Sequence, residues 1–163
     1  MRPTALLAAF VLGFAAWILW PSDEVTLVRS IPRRLAAAFS SGRASTCLDG
    51  FAMEYSDTSE GARIDRETIR VALLGRFGGA AGGDLVAKVR DESLDLASYD
   101  AESGTAELGF VVVLSRVSPL ATEVTPADAI WEIEVAATLR REEDGEWRIT
   151  RSTHRTVSGA RPR

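Results

Sequence analysis

The chain of 163 residues has a single cysteine, Cys47, and a single histidine, His154. One cysteine excludes an internal disulfide, and two such residues are too few for a zinc site built from cysteine and histidine ligands. A nucleophilic pair of Cys47 with His154 is formally available, but a lone cysteine is more often a small buried side chain. The sequence therefore predicts no metal, no cofactor and an unreactive thiol.

An excess of basic residues is also missing. The chain has 19 basic and 23 acidic residues and a formal net charge of −4 at pH 7, and Lys88 is its only lysine. Binding to nucleic acid requires a concentrated basic face, because most of the affinity comes from phosphate contacts. We therefore expect no nucleic-acid partner.

The first residues form an uncharged apolar run, TALLAAFVLGFAAWILW, at positions 4–20. At a rise of about 1.5 Å per residue this run spans roughly 25 Å as a helix, close to the thickness of a hydrocarbon core. Trp17 and Trp20 lie at its downstream end, where indole rings suit the membrane interface. A cleaved signal peptide is the alternative, but cleavage would leave apolar residues at the new amino terminus. The sequence predicts a transmembrane signal anchor over residues 1–21.

The charges around this run favour an extracytoplasmic domain. Arg2 lies on the short side, and Asp23 and Glu24 lie just beyond the other end. Three arginines between positions 29 and 34 count against this orientation, since basic residues favour the cytoplasm. We expect a single-pass protein of the bacterial inner membrane with its domain in the periplasm.

The residues after the anchor are enough for one domain, which we place at 22–157. Val28, Ile31 and Leu35 form the apolar stripe of a first helix, which begins near Ser30 with Pro32 in its first turn, or follows a turn beside the membrane. Two further helices are predicted, one that starts after a Ser45 cap and runs through Phe51, and one from an Asp65 cap through Phe77 to Gly78-Gly79.

The second half of the chain alternates with the period of β-strands. Asp144-Gly145 predicts a hairpin turn, a polar loop is expected over Val117–Ala129, and residues 158–163 are predicted to be a disordered tail. The predicted extended segments are Leu85–Val89, Ser93–Tyr99, the central strand Ala106–Arg116, Ile130–Arg141 and Glu146–Val157. This order predicts an α+β fold in which about three helices pack on one face of a curved antiparallel sheet.

Four stretches carry a resemblance to a known family: LAAAF at Leu35–Phe39, the segment from Gly42-Arg43 to Tyr55-Ser56-Asp57, IDRETI at Ile64–Ile69, and DGEWRI at Asp144–Ile149. With the element order, they make residues 24–157 resemble the nuclear transport factor 2-like (NTF2-like) superfamily, which includes SnoaL-like cyclases and ketosteroid isomerases. The resemblance implies a cone-shaped cystatin-like fold, a pocket between the helices and the concave sheet face, and often dimers through the other face. It does not imply one function, because isomerases, cyclases, transport factors and periplasmic assembly domains share this fold.

Two carboxylates are candidates for a catalytic base. An apolar pocket would raise the pKa of such a carboxylate toward neutrality, which nominates Asp57 first, with Tyr55 assisting, and Glu107 second. In the isomerase branch an aspartate works with a tyrosine and a protonated acid, and no complete set can be matched here. The more ordinary interpretation places Asp57 in a surface loop, Ser56–Gly61, rich in turn residues.

Two aromatic residues and one polar face complete the candidate sites. Tyr99 and Trp131 could line the pocket mouth, although inward aromatics usually serve core packing. On the polar sheet face, an interface with a second copy or another protein is one interpretation, and a solvated, charge-paired surface is the more ordinary one. The residues of this predicted partner surface are Glu132, Glu134, Arg148 and His154.

Two functions remain open at this point. The anchor favours a non-enzymatic binding or assembly module in the bacterial envelope. The alternative is a SnoaL-like or ketosteroid-isomerase-like enzyme that acts on a small hydrophobic substrate in the cone. A deep cavity that brings Asp57 and Tyr55 within hydrogen-bond reach of one point would count against the module.

Overall fold

The computed structural model describes residues 24–59, 63–78, 85–116 and 129–160. Its helices are α1 (Glu24–Ser40), α2 (Ala44–Asp49) and α3 (Arg66–Phe77). Its strands are β1 (Phe51–Asp57), β2 (Ile64–Asp65), β3 (Leu85–Val89), β4 (Asp95–Asp100), β5 (Thr105–Arg116), β6 (Ala129–Arg141) and β7 (Trp147–Gly159), with a short 3₁₀ helix at Asp91–Ser93. None of the described helices is long and apolar enough to cross a membrane. The predicted span at positions 4–20 lies outside the described residues.

The strands form one sheet in the order β2-β1-β7-β6-β5-β3, and β4 pairs with β5 beside β3. The α+β class and the central position of β5 are as predicted. The prediction of a purely antiparallel sheet is wrong, because β1 runs parallel to β7. No strand was predicted at β1, which follows directly on the second helix. The two strands are far apart in sequence, so only tertiary pairing makes them neighbours.

Helix α1 begins at Glu24, and Pro32 lies inside it. The predicted beginning near Ser30 is therefore wrong, and the alternative of a preceding turn beside the membrane concerns residues outside the described ones. The extra turns at the amino end are held by tertiary contacts: Val28 is fully buried, and Glu24 accepts a hydrogen bond from the Arg141 guanidinium at 2.6 Å. Burial of the apolar face stabilises a helix that proline alone would tend to interrupt.

The boundaries of α3 follow the predicted local signals. Asp65 caps the helix, since its Oδ1 accepts the backbone N–H of Thr68 at 2.8 Å. Gly78 ends it, as predicted. Helix α2 instead ends before Gly50, where a Cβ atom would lie 2.3 Å from the Leu35 side chain. Phe51 therefore begins β1 and does not belong to the second helix.

A β-bulge in β7 changes which side chains face the helices. Leu139 pairs with Ile149, but the next residue of β6, Thr138, pairs with Arg151, so Thr150 is an extra residue. The Thr150 hydroxyl donates to the carbonyl oxygen of Thr138 at 3.2 Å. Because side chains alternate along a strand, one inserted residue inverts the alternation beyond it.

The bulge corrects the predicted polar face. Arg148 comes before the bulge, whereas Ser152 and His154 come after it and share the inward face with Ile149. The prediction that His154 lies on the face opposite Ile149 is therefore wrong. The alternation of side chains along a strand predicts their faces only where the pairing register between the strands is unbroken.

The end of the chain extends further than predicted. Strand β7 includes residues 158 and 159, and Gly159 pairs with Trp131 with φ 76°. The predicted disordered tail therefore begins too early, and residues 161–163 lie outside the description. The predicted hairpin is confirmed: Gly145 has φ 83° and its N–H donates to Glu142. Of the predicted loop 117–129, only Ala129 is described, and it belongs to β6.

The main core lies between α1 and the inward face of the sheet. The largest of its fully buried side chains are Val28, Leu108 and Leu139. A second, smaller cluster joins the three helices through Ala38, Cys47 and Leu73. Between these two packed regions the helices and the sheet leave a cavity.

Candidate functional site

The cavity between the helices and the inward sheet face has a volume of about 350 Å³. Helix α1 supplies one wall, and β1, β5, β6 and β7 supply the floor. Apolar side chains dominate the lining, and the side chains that form it include no lysine or arginine. They are Pro32, Leu35, Ala36, Phe39, Cys47, Phe51, Tyr55, Asp57, Ile64, Ile69, Leu73, Phe110, Val112, Trp131, Ile133, Val135, Ile149, Ser152 and His154. The cavity therefore suits an apolar molecule without an anionic group.

Asp57 is the buried acid of this cavity, with 3% of its surface exposed. It is the last residue of β1 and pairs there with Ser152 of β7. Its Oδ2 accepts a hydrogen bond from Ser152 Oγ at 2.7 Å and lies 3.1 Å from His154 Nδ1. The interpretation of Asp57 as a surface-loop residue is therefore wrong, because the pairing of β1 with β7 carries it into the interior.

The hydrogen-bond directions in this cluster follow from the carboxylate. An ionised carboxylate only accepts, so Ser152 must give its single hydroxyl proton to Asp57. Tyr55 Oη lies 2.7 Å from Ser152 Oγ, and Tyr55 must therefore be the donor of that bond. For the same reason His154 presents Nδ1–H to Asp57. In its neutral form the imidazole then carries its free lone pair on Nε2.

The pKa of Asp57 lies below its ordinary value. Burial by itself raises this pKa, but hydrogen bonds from Ser152, Ser59 and His154 together outweigh burial and lower it. The predicted upward shift toward neutrality is therefore wrong. An ionised, fully hydrogen-bonded carboxylate is a weak base, and its geometry suits it to orienting the imidazole.

Burial also acts on Tyr55, where the net shift of the pKa is upward, opposite to that of Asp57. It raises the pKa of the phenol, and the hydrogen bond with Ser152 offsets only part of that effect. Tyr55 therefore keeps its proton at neutral pH and remains a donor. Tyr55 and Asp57 both contact one protein atom, Ser152 Oγ.

His154 is the imidazole of the cluster. Its side chain is 14% exposed and lines the cavity, and the Trp131 ring packs against it edge-on at 6.4 Å between centroids. Trp131 is fixed in turn, since its Nε1 donates to Thr156 Oγ1 at 3.1 Å. Imidazole is the side chain best suited to proton transfer near neutral pH.

The other predicted site residues are distributed differently. Trp131 lines the cavity, as expected for a pocket residue, but Tyr99 is not part of the lining. Tyr99 packs against Trp147 at 5.9 Å and donates a hydrogen bond to Glu24 at the start of α1. Glu107, the second nominated base, is exposed and points away from the cavity.

The predicted partner surface is not one cluster. Glu134 pairs with Arg155, and Glu132 pairs with Arg90 at 2.5 Å. Arg148 contacts neither glutamate, because its guanidinium binds Asp144 at 2.6 Å within the hairpin. His154 lies in the cavity, on the inward face of β7. A role for the outward face in binding a partner stays a prediction.

Sequence reasoning missed Ser152 and Ser59 and assigned His154 to the wrong face. Ser152 and His154 follow the Thr150 bulge, for which the local sequence has no clear signal. Asp57-Thr58-Ser59 does carry the signature of an Asx turn, and Asp57 Oδ1 accepts the Ser59 N–H at 2.7 Å. Among the described residues, no three His, Cys, Asp or Glu side chains are grouped so that they could hold a metal ion.

No protein-family model matches the chain, and no curated protein matches it significantly. Solved structures do match. An NTF2-like protein with a cystatin-like fold from Novosphingobium aromaticivorans is 15% identical with a TM-score of 0.62, covering 98% of this chain and 92% of its own. A candidate scytalone dehydratase from the same organism is 15% identical with a TM-score of 0.63, covering 86% of this chain and 89% of its own.

A ketosteroid isomerase-like protein from Erwinia carotovora is 14% identical with a TM-score of 0.58, covering 84% of this chain and 98% of its own. At such low identities these likenesses show the fold alone. The chain therefore has the NTF2-like, cystatin-like fold that the resemblance implied, and the site has to be interpreted from its own residues.

Proposed function

We propose that the domain is an acid–base enzyme that binds a small, uncharged, largely apolar molecule and moves a proton on it. The observation that carries this proposal is the buried chain Tyr55–Ser152–Asp57–His154, which opens into an apolar cavity of about 350 Å³. Apolar residues could fill the interior at lower cost, since a buried carboxylate is expensive unless every oxygen is paired. Such a cluster, facing a cavity, is the arrangement expected of a functional site.

The proposed base is His154, and Asp57 orients it. His154 Nε2 removes a proton from a carbon beside a carbonyl group, which leaves an enolate on the substrate and an imidazolium on the enzyme. The Asp57 carboxylate stabilises that imidazolium through Nδ1–H. Return of the proton to the same or another carbon regenerates the neutral imidazole, so that no other reactant is consumed.

The substrate class follows from the lining. An anionic ligand would meet the Asp57 carboxylate without a lysine or arginine to offset its charge. A neutral molecule can place its apolar body against Phe110 and Phe51 and its reacting carbon beside the His154 ring. The hydroxyl protons of Tyr55 and Ser152 are already donated within the cluster. Names of similar structures, ketosteroid isomerase-like and scytalone dehydratase, fit neutral substrates of this kind.

Hydrogen–deuterium exchange tests the proposal without knowledge of the natural substrate. The probe is β-tetralone, a neutral bicyclic ketone with acidic protons beside its carbonyl, incubated with the full-length protein in D₂O. We expect exchange above the buffer rate, and a loss on the order of 10²–10⁴-fold of this enzymatic rate in His154→Gln. Asp57→Asn should also lose most of it, because asparagine favours the wrong tautomer.

Glu107→Gln is the matched control, since this residue was nominated from sequence but is exposed outside the cavity. Saturation-transfer NMR shows whether the ketone binds. A bound ketone that exchanges equally fast with wild type and His154→Gln would refute His154 as the base. Binding without any exchange would instead support the second candidate, a ligand-binding module that performs no chemistry.

We also propose that residues 4–20 hold this domain at the bacterial inner membrane, on the periplasmic side. The support is the uncharged run itself and the start of α1 at Glu24, only a few residues after Trp20. In that position the site would act on, or hold, molecules near the bilayer. A periplasm-active reporter fused after Arg163 should be active, and activity of a cytoplasm-only reporter at the same position would refute the orientation.

A further inference from the structure

Ser59 contacts both members of the Asp57–His154 pair. Its backbone N–H donates to Asp57 Oδ1 at 2.7 Å, and its Oγ accepts the backbone N–H of His154 at 2.5 Å. The bond to His154 does not use the Ser59 hydroxyl proton, and the Ser59 side chain is one of the groups that lower the pKa of Asp57. The residue is 9% exposed, so that these bonds form away from bulk water.

The contact between Ser59 and His154 lies where strands β1 and β7 separate. The parallel pairing of β1 with β7 ends at Asp57 and Ser152. The His154 N–H points toward the β1 side, where no further backbone acceptor of that strand follows. A partly buried N–H without an acceptor costs free energy. The Ser59 hydroxyl oxygen supplies the acceptor that β1 no longer offers, and it does so at His154, whose ring faces Asp57.

We propose that Ser59 is a positioning residue that fixes the His154 backbone relative to the Asp57 carboxylate, and thereby selects the imidazole tautomer with the proton on Nδ1. The inference rests on the proposed function in one respect only, namely that the proposed reaction would use the tautomer with the proton on Nδ1. A tautomer with a bare Nε2 toward the cavity is the form in which the imidazole can accept a proton from a ligand.

A purely structural role of Ser59 predicts a different result for the imidazole. A hydroxyl that only closed the end of β1 would contribute to the stability of the fold and leave the imidazole unchanged. The single histidine makes the two roles separable, because its two ring nitrogens are the only imidazole signals in the full-length chain. No substrate is required for this measurement.

The experiment uses full-length protein labelled with ¹⁵N-histidine, at a pH about two units above the ordinary imidazole pKa. Long-range ¹H–¹⁵N correlation spectra report which nitrogen carries the proton. In wild type we expect Nδ1–H to dominate. In Ser59→Ala we expect the ratio of Nδ1–H to Nε2–H to fall about tenfold, on the scale of one lost hydrogen bond.

Two variants control for side effects. Ser59→Thr keeps the hydroxyl and should restore the wild-type spectrum. Ser56→Ala removes a hydroxyl from the neighbouring strand β1. The Ser56 side chain has no hydrogen bond in the described structure, so this variant should leave the spectrum unchanged. If Ser59→Ala does not fold, Ser59→Cys keeps the side-chain size with a much weaker acceptor and takes its place.

An unchanged imidazole spectrum in a folded Ser59→Ala protein would overturn the proposal, even if its stability fell. Wild type with Nε2–H dominant would overturn it as well. If wild type and the variants behave as expected but no bound ketone exchanges protons, the proposed function fails and the role of Ser59 stands. The two outcomes are therefore distinguishable.

Discussion

Replacing Asp57 by asparagine changes the chemistry of the buried cluster with almost no change of shape. The Ser59 N–H is fixed by the backbone, so that the amide oxygen must take the Oδ1 position and the amide NH₂ must replace Oδ2. There it meets the hydroxyl of Ser152 and the Nδ1–H of His154, both donors. Two charge-assisted hydrogen bonds are lost and replaced by weaker neutral ones after rearrangement. With about 1.5–3 kcal/mol for each bond to a charged group and about half of that for a neutral bond, we expect the two bonds together to lose about 1.5–3 kcal/mol at pH 7.

The same cluster determines how that difference depends on pH. The pKa of Asp57 in the folded protein lies below its usual value of 3.8, since the hydrogen bonds outweigh the effect of burial. The stabilisation is therefore fully present above the unfolded pKa and is lost as the pH falls through the folded pKa. Asparagine does not titrate. The difference in unfolding free energy between wild type and Asp57→Asn should accordingly narrow as the pH falls below 3.8.

Urea unfolding of the full-length protein, followed at pH values from neutral to acidic, measures this difference. Asp95→Asn is the control, because Asp95 is an exposed aspartate of β4 and should change the unfolding free energy by less than about 0.5 kcal/mol. A difference between wild type and Asp57→Asn that stays constant through the acidic range would refute the reasoning. It would mean that the cluster does not hold Asp57 in its ionised form.

Two further predictions concern the fold. Leu139→Ala removes a side chain with 0% exposure at the centre of the main core and should lower the free energy of unfolding by about 2–5 kcal/mol. Leu74→Ala, on the exposed face of α3, should change it by no more than about 0.5 kcal/mol. Equal effects of the two variants in urea unfolding would contradict the placement of the core. Gly159→Ala would place a Cβ atom 2.1 Å from the Ile130 carbonyl oxygen at φ 76°, and we expect it to lower the free energy of unfolding by about 1–2 kcal/mol. In Gly75→Ala the new Cβ atom meets nothing within 4 Å in α3, and we expect the free energy of unfolding to rise by about 0.5–1 kcal/mol. The opposite order of thermal midpoints would show that the end of β7 is not paired as described.

The elements that could be predicted are those whose signals are local. The cap of α3 at Asp65, its end at Gly78 and the hairpin at Gly145 depend on residues within four positions of one another. The alternation of β5 and β6 is likewise a property of each strand. Helix α1 shows the limit, because a proline is a strong local signal and the buried contacts of Val28 outweigh it.

The candidate site could be predicted only in part. Asp57 and Tyr55 were nominated, and the structure brings both to Ser152. The predicted direction of the Asp57 pKa shift was wrong. An upward shift requires an apolar environment without hydrogen-bond donors to the carboxylate. The donors come from Ser152 and His154, which the predicted alternation placed outside.

The sequence by itself determined the α+β class, the cap and end of α3, the hairpin turn at Gly145, the single imidazole and the uncharged run at positions 4–20, since each depends on composition or on neighbours along the chain. Only the tertiary structure decided that β1 joins β7 in parallel, that Thr150 is an extra residue, and that Asp57 therefore meets His154 across nearly a hundred residues. A one-residue shift of register exchanges the two faces of a strand. That shift depends on pairing between strands, and no stretch of either strand contains it alone.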